Sequence, residues 1–387
     1  MSYFNIVAQT TESTIVTEYE PDARKADNFQ SEAALENEFI RMLSDAHNGQ
    51  GYTYLSIHSE AELIANLRHE LERLNNYQFS EDEWQRFFTT TLAKPNSKIQ
   101  DKTRMIQEDN VQVLRRDDGS SKNITIIDKK NIHNNSLQVI NQYAIGQEAG
   151  ARYDNRYDVT ILVNGLPVVH VELKRRGVPI REAFNQINRY QRDSFWAGCG
   201  LYEYVQIFVI SNGTNTKYYS NSTRFNAIKD ANASDKKKKG KTSNSFEFTS
   251  YWADSKNRVI TDLVDFTKTF FAKHTILNIL TQYCIFTSEE LLLVMRPYQI
   301  TATERILNRI EIATNYKKYG NIAGGGYIWH TTGSGKTLTS FKTARLASQL
   351  SYIDKVLFVV DRKDLVVVKH FCNSTTYIFK NDIELHK

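Results

Sequence analysis

The chain has 387 residues, of which 41% are hydrophobic and 24% are charged, and its net charge is +5. This length suits two or three domains, and the composition is that of a globular protein whose mild positive charge is compatible with a nucleic-acid partner. Three scattered cysteines, no signal-peptide core and no apolar run of membrane-spanning length favour a reduced, cytoplasmic protein with no zinc site and no membrane partner.

The N-terminal part of the chain is predicted to be largely helical. Ser31 is a candidate N-cap for a helix whose apolar residues recur at helical spacing between positions 35 and 43. Glu32 and Glu36 flank that apolar stripe. We interpret them as an ordinary helix shoulder, the alternative being an acidic contribution to a metal site. Two capping-box patterns open further helices: Ser59 with Glu62, and Ser80 with Glu83.

Residues 110–145 are predicted to form strands joined by turns, and the stretch 156–177 follows them. Within that stretch, two runs rich in Val, Ile and Leu flank Asn164-Gly165, a strong signal for an antiparallel hairpin. If the turn centres on Gly165, the numbers of opposed residues sum to about 330. Asp158 then lies opposite Glu172.

The charged residues of this hairpin suggest chemistry. Because side chains alternate along a strand, His170, Glu172 and Lys174 share one face. Asp158 and Glu172 would repel each other unless a cation joined them, and a hard divalent ion such as Mg²⁺ meets that need. Lys174 would hold a phosphate oxygen or activate water, which suits phosphodiester hydrolysis. The alternative is that Glu172 and Lys174 form a solvated surface pair.

A helix is predicted after the hairpin, with Gln186 and Tyr190 on one face. That face would reach a DNA backbone, or it is simply a polar helix surface. A buried strand is predicted at 204–210, and helices are predicted across 258–285. The lysine-rich segment 229–245 is predicted to be a solvated loop, with phosphate contact as the alternative.

The most specific motif is Thr332-Gly-Ser-Gly-Lys-Thr337. It predicts a strand running into a glycine-rich loop that opens a helix, whose backbone N–H groups cradle phosphates. Lys336 would contact the β and γ phosphates, and Thr337 would contact Mg²⁺. The first glycine of the usual pattern is His330 here.

A further buried strand is predicted at 355–361, ending in Asp361. No second acid follows Asp361, and an ATPase needs such an acid together with an arginine that stabilises the transition state. We therefore expect weak ATP binding and do not expect hydrolysis.

Nuclease and motor motifs in this order resemble the R subunit, the motor-and-cleavage subunit, of type I restriction enzymes. The resemblance covers most of residues 30–365. The segments that carry it are Val-Leu-Arg-Arg-Asp-Asp-Gly at 113–119, Gly-Leu-Pro at 165–167, Val-Glu-Leu-Lys-Arg-Arg-Gly at 171–177, Trp-His-Thr-Thr-Gly-Ser-Gly-Lys-Thr at 329–337 and Val-Val-Asp-Arg-Lys-Asp-Leu at 359–365. Family members are far longer, and the sequence after 365 departs from them, so we expect a truncated or frameshifted product.

The resemblance implies an α/β protein with a PD-(D/E)xK nuclease domain at 1–250, in which helices flank a small mixed sheet. A helical connector at 251–288 and the start of a RecA-like superfamily 2 helicase domain at 289–387 would follow. The implied site residues are Asp158 and Glu172 as Mg²⁺ ligands, Lys174 as the catalytic lysine, Gln186 and Tyr190 of a Gln-x-x-x-Tyr motif beside the nuclease centre, Arg296 and Gln299 of an adenine-recognising element, Thr332, Gly333, Ser334, Gly335, Lys336 and Thr337 of the ATP-phosphate loop, and Asp361-Arg362 of the next motor motif.

The leading hypothesis is a Mg²⁺-dependent DNA endonuclease joined to an ATP-binding motor fragment. By resemblance, its partners are double-stranded DNA and the modification and specificity subunits of a restriction complex. A second hypothesis is a non-catalytic DNA- or partner-binding fragment with an inert nuclease-like fold. A third is a helicase whose N-terminal half is only a scaffold.

Overall fold

The structure is a computed structural model that describes residues 3–8, 16–21, 30–222, 246–359 and 378–379. The strands, in chain order, are β1 (Tyr3–Ala8), β2 (Val16–Glu20), β3 (Thr53–Tyr54), β4 (Val111–Arg115), β5 (Ser121–Thr125), β6 (Leu137–Ile145), β7 (Asn155–Val163), β8 (Leu166–Leu173), β9 (Ile207–Ser211), β10 (Thr216–Ser220), β11 (Trp252–Ala253), β12 (Val259–Ile260), β13 (Cys284–Phe286), β14 (Leu292–Val294), β15 (Phe358–Val359) and β16 (Ile378–Phe379). The α-helices are α1 (Glu32–Ser44), α2 (Glu60–Asn75), α3 (Glu81–Phe87), α4 (Ile99–Gln107), α5 (Arg181–Asp193), α6 (Leu263–Thr269), α7 (Lys273–Thr281), α8 (Pro297–Asn315) and α9 (Lys336–Ala347).

A six-stranded mixed sheet, with strand order β10-β9-β8-β7-β6-β3, is the centre of the fold. Strands β6, β7 and β8 pair antiparallel, whereas β8 pairs parallel with β9. Helix α1 packs against β6, β7 and β8, and α5 packs against β8 and β9. Strand β8 is buried along its whole length. This burial explains why its sequence is a nearly continuous apolar run instead of an alternating one.

The predicted β7–β8 hairpin is confirmed, and its predicted register is confirmed at the acid positions. Asn164 and Gly165 form the turn with φ angles of 50° and 82°, as the primed hairpin turns require. Val159 pairs with Val171, and the register shifts only between Ile161 and Leu162, close to the turn. Next to the turn Leu162 pairs with Pro167, one residue out of the predicted register, and the shift restores the predicted register at the acid positions.

The predicted helix starts are also confirmed. Ser31 accepts a hydrogen bond from the Ala34 N–H (3.1 Å), and both capping boxes are present at the starts of α2 and α3. Helix α4 and the β1–β2 hairpin were not predicted from the sequence. Among the described residues, no helix is both long and apolar enough to cross a membrane.

Two strand predictions near the phosphate loop are wrong. Residues 325–332 form no strand, and Tyr327 and Trp329 are each 88% exposed. Of the buried strand predicted at 355–361, the described residues 355–359 form only β15, in which Val359 is 70% exposed. A buried parallel strand needs hydrogen-bonding neighbours on both sides, and in the part of the chain that the structure describes β15 pairs only with β16.

The predicted connector at 251–288 is not purely helical. It contains α6 and α7, but also the β11–β12 pair and strand β13. The lysine-rich segment 229–245 and the motif Asp361-Arg362 lie outside the described residues.

Candidate active site

Asp158 lies on β7 with a side chain that is nearly buried (8% exposed). Its Oδ2 accepts a hydrogen bond from the backbone N–H of Leu173 at 2.8 Å. Because Val159 pairs with Val171, the next position along the same register places Asp158 opposite Glu172. The carboxylate is therefore fixed against the end of β8 by backbone geometry.

Glu172 and Lys174 complete the cluster that the sequence predicted. Glu172 is fully buried, and its Oε1 lies 3.1 Å from Lys174 Nζ. Lys174 follows β8 directly, and its backbone N–H donates to Ser211 O on β9. The alternative of a solvated surface pair is wrong, because Glu172 has no solvent exposure.

A third acid reaches the same lysine from helix α1. Lys174 Nζ lies 3.1 Å from Glu32 Oε1 as well as donating to Leu173 O at 2.8 Å. Glu36, one turn further along α1, is buried and accepts hydrogen bonds from the side-chain amides of Asn141 and Gln142, both at 2.6 Å. The interpretation of these acids as an ordinary helix shoulder is therefore wrong, since Glu32 contacts Lys174 and Glu36 binds two side-chain amides of β6.

Burial dominates the electrostatics of the acid pair. It raises the pKa of Asp158, and the neighbouring charge of Glu172 raises that pKa further. Burial also raises the pKa of Glu172, against the opposing charge of Lys174. Burial disfavours the Lys174 ammonium, but the carboxylates of Glu172, Asp158 and Glu32 outweigh it and raise the pKa of that lysine. Without a cation, the carboxyl pair therefore retains a proton near neutral pH while the lysine stays charged.

The donor set fits a hard divalent cation. Asp158 and Glu172 supply carboxylate oxygens, and the Leu173 carbonyl oxygen faces the same cluster. Oxygen ligands of this kind suit Mg²⁺. The described residues contain no group of three or more His, Cys, Asp or Glu that could hold a metal, so water and phosphate oxygens would supply the remaining ligands.

His170 lies directly behind Glu172, and the sequence analysis gave it a shared face but no role. The imidazole is fully buried, with Nε2 3.5 Å from Glu172 Oε2 and Nδ1 3.4 Å from Thr160 Oγ1. Burial lowers the pKa of His170 to about 4, so the ring is neutral at physiological pH. A histidine two residues before an acid on a predicted buried strand was the available signal for this contact.

The structure places Gln186 and Tyr190 together on α5, as predicted, and buries the tyrosine. Gln186 is half-buried, and its Nε2 donates to the Tyr190 hydroxyl. Tyr190 is 4% exposed, and its hydroxyl donates to Arg156 O at 2.8 Å. A buried side chain with this partner supports the start of β7 and offers no DNA-facing surface, whereas Gln186 remains partly accessible.

The phosphate loop has the turn-and-helix geometry that the motif predicts. Gly333 and Gly335 have φ angles of 78° and 77°, and α9 begins at Lys336. Lys336 Nζ donates to Thr331 O at 3.1 Å, and Ser334 Oγ donates to the same oxygen at 2.7 Å. The lysine thus folds back over the loop and is exposed to solvent, where a phosphate group could displace its backbone contact.

The element around Arg296 and Gln299 lies against this loop. Gln299 Oε1 accepts from the Arg296 N–H at 2.8 Å, and Gln299 Nε2 donates to Ser334 O at 3.0 Å. The Tyr298 hydroxyl donates to the same Ser334 oxygen at 3.0 Å. The structure therefore brings both predicted nucleotide elements together, although the Gln299 amide is committed to protein partners.

Comparison with known proteins places these two regions in restriction enzymes. Residues 29–227 match the family described as "Type I restriction enzyme R protein N terminus", and residues 292–376 match "Type III restriction enzyme, res subunit". The chain is 47% identical over 306 residues to the type I restriction enzyme EcoprrI endonuclease subunit of Escherichia coli, a match that covers 79% of this chain and 90% of that protein.

Two staphylococcal relatives are longer. The type I restriction enzyme endonuclease subunits SsaAORF53P of Staphylococcus saprophyticus and SauMSSORF170P of Staphylococcus aureus are 37% and 38% identical over 343 residues. Each match covers 87% of this chain but 32% of the relative, so the chain spans about a third of their length. The R-protein match alone covers more than half of the 387 residues. The chain belongs to the R-protein family, the endonuclease subunits of type I restriction enzymes.

Proposed function

We propose that this chain carries a Mg²⁺-dependent DNA endonuclease site of the PD-(D/E)xK type. The observation that carries the proposal is the buried carboxyl pair, Asp158 and Glu172, set against the charged Lys174 at the open end of a hairpin. Two acids buried side by side destabilise a fold unless a cation joins them, so their burial supports a metal site. The names of the relatives, all endonuclease subunits, agree with this chemistry.

Each residue of the cluster has a defined role in the proposal. Asp158, Glu172 and the Leu173 carbonyl oxygen hold Mg²⁺. When bound, Mg²⁺ supplies positive charge that stabilises the phosphate as negative charge develops on it. Lys174 donates a hydrogen bond to a phosphate oxygen or to the attacking water. Glu32 acts as a positioning residue, because it keeps a carboxylate within 3.1 Å of the Lys174 ammonium once Glu172 turns to the cation.

The motor region extends the proposal to ATP. Lys336 and Thr337 would bind the phosphates and their Mg²⁺, and the element around Gln299 would meet the adenine after its contact with Ser334 breaks. Double-stranded DNA is the proposed substrate, and the modification and specificity subunits are the proposed partners. ATP-driven DNA translocation is proposed for the complete enzyme to which such a subunit belongs.

Metal binding and DNA cleavage test the nuclease site. Isothermal titration of the full chain with Mn²⁺ and Mg²⁺ measures binding, and nicking of supercoiled plasmid measures cleavage, alone and with the modification and specificity subunits. We expect Asp158→Asn to abolish metal binding, and both Asp158→Asn and Lys174→Met to lower cleavage by about 100-fold or more. Matched controls are Asp118→Asn and Lys130→Met, which change exposed residues of the same types.

Two results would overturn the proposal. One is the absence of any divalent-metal binding by the unaltered chain. The other is plasmid cleavage that continues at an unchanged rate in both Asp158→Asn and Lys174→Met. Either result would favour the non-catalytic, DNA- or partner-binding fragment.

A further inference from the structure

Two buried polar atoms behind the acid pair lack hydrogen-bond partners within the part of the chain that the structure describes. They are His170 Nε2 and Glu172 Oε2, and they lie 3.5 Å apart. Both side chains are fully buried. A buried donor or acceptor left unpaired is costly, and these two atoms can satisfy each other after a small approach.

The opposite edge of the imidazole determines which nitrogen carries the proton. His170 Nδ1 lies 3.4 Å from Thr160 Oγ1, and Thr160 Oγ1 lies 3.2 Å from the Tyr202 hydroxyl. When Glu172 is ionised, as it is with a bound cation, one arrangement places every hydrogen: Tyr202 O–H donates to Thr160, Thr160 O–H donates to Nδ1, and Nε2–H donates to Glu172. The reverse arrangement would leave the imidazole without a donor toward the carboxylate.

Aromatic rings hold the imidazole in this orientation. The rings of Tyr157, Tyr190 and Phe195 meet it edge-on, with centroids 5.6, 6.1 and 5.5 Å away. All three side chains are buried, so the ring cannot rotate without repacking the core. The direction of its Nε2–H is thereby fixed by tertiary packing.

Glu172 divides its two oxygens between different neighbours. Oε1 lies 3.1 Å from Lys174 Nζ on the side of the acid cluster, whereas Oε2 faces His170. We propose that His170 is a positioning residue that holds Glu172 Oε2 through its Nε2–H and so directs Oε1 toward the divalent cation. Thr160 and Tyr202 fix the tautomer that makes this possible. The inference rests on the proposed metal site and adds a residue to its support.

Two substitutions of His170, one that keeps an N–H donor and one that removes it, test this role. His170→Gln keeps an N–H donor at similar reach, whereas His170→Leu keeps an apolar side chain of similar size and removes the donor. We expect Mn²⁺ affinity, measured by titration of the full chain, to fall roughly 10–100-fold in His170→Leu, as for other residues that orient metal ligands, and much less in His170→Gln. Circular dichroism establishes that each variant is folded.

A second measurement needs no variant of His170. The ¹⁵N chemical shifts of the imidazole in the Mg²⁺-bound chain, in which Glu172 is ionised, should show protonated Nε2 and unprotonated Nδ1, and Thr160→Val should weaken that preference. The inference is overturned if the spectrum shows the Nδ1–H form, or if His170→Leu binds Mn²⁺ as tightly as the unaltered chain. Failure of the unaltered chain to bind Mn²⁺ would instead overturn the metal site itself, and the role of His170 with it.

Discussion

The clearest prediction concerns Asp158→Asn, which should stabilise the metal-free fold while it abolishes cleavage. The asparagine Oδ1 can still accept from the Leu173 N–H, as Asp158 Oδ2 does at 2.8 Å. The substitution removes one of two adjacent buried acids, so the electrostatic repulsion between their carboxylates disappears. Removal of a catalytic acid that is buried beside another acid should therefore raise stability while it abolishes activity.

The magnitude and its pH dependence follow from the raised pKa. Burial, and then the charge of Glu172, raise the pKa of Asp158 from its ordinary value of 3.8 to about 8. Because the unfolded chain loses this proton at lower pH, folding stability falls as pH rises from about 4 to 8. One pKa unit corresponds to about 1.4 kcal/mol. Asp158 and Glu172 share one proton and their surroundings relax, so the full shift does not appear as stability. We therefore expect Asp158→Asn to raise the free energy of unfolding by about 1–2 kcal/mol at pH 8.

Urea unfolding in EDTA, at pH 5 and at pH 8, measures this gain. The gain should be larger at pH 8, and 10 mM Mg²⁺ should reduce it, because the cation stabilises only the unaltered site. Asp118→Asn is the control, since that exposed turn acid has a lowered pKa and should show no gain. The reasoning is refuted if Asp158→Asn is less stable than the unaltered chain at pH 8 in EDTA.

Three further predictions follow. Glu32→Gln should lower the rate of plasmid cleavage about 10-fold, because it removes the ion pair that holds the Lys174 ammonium in place. Glu38→Gln, a change on the same helix, should leave the rate unchanged. Equal cleavage rates in the two variants would contradict a positioning role for Glu32. Gly165→Ala should lower the free energy of unfolding, measured in urea, by about 2–4 kcal/mol, because the alanine Cβ would lie 2.5 Å from Leu67 Cα. Gly119 has the same φ of 82° but open space around it, so Gly119→Ala should lower that free energy by only about 1 kcal/mol. Burial lowers the pKa of Lys342 to about 7, so the free energy of unfolding should rise between pH 7 and 10. Lys342→Met should stabilise the chain at pH 7 by on the order of 1–3 kcal/mol and flatten that rise. An unchanged dependence of stability on pH in Lys342→Met would contradict this explanation.

Local sequence determined the features of this protein that depend on few neighbours. Asn164-Gly165 specified the hairpin turn. The serine-to-glutamate capping boxes specified the starts of α2 and α3. The glycine-rich motif specified the turn before α9. In each case the backbone conformation is fixed by residues within about four positions, so the pattern is sufficient.

Tertiary structure decided the features that require distant segments to meet. The 142-residue separation of Glu32 and Lys174 is closed only when α1 packs on the sheet, and helical spacing alone favoured the wrong interpretation of Glu32. Packing of α5 against β8 and β9 buries Tyr190, for which the sequence pattern offered either a DNA-facing or a polar helix surface. Burial also turns His170 into a neutral partner for Glu172. These outcomes depend on which side of a helix or strand faces the core, and on neighbours far away in the chain, which local periodicity does not specify.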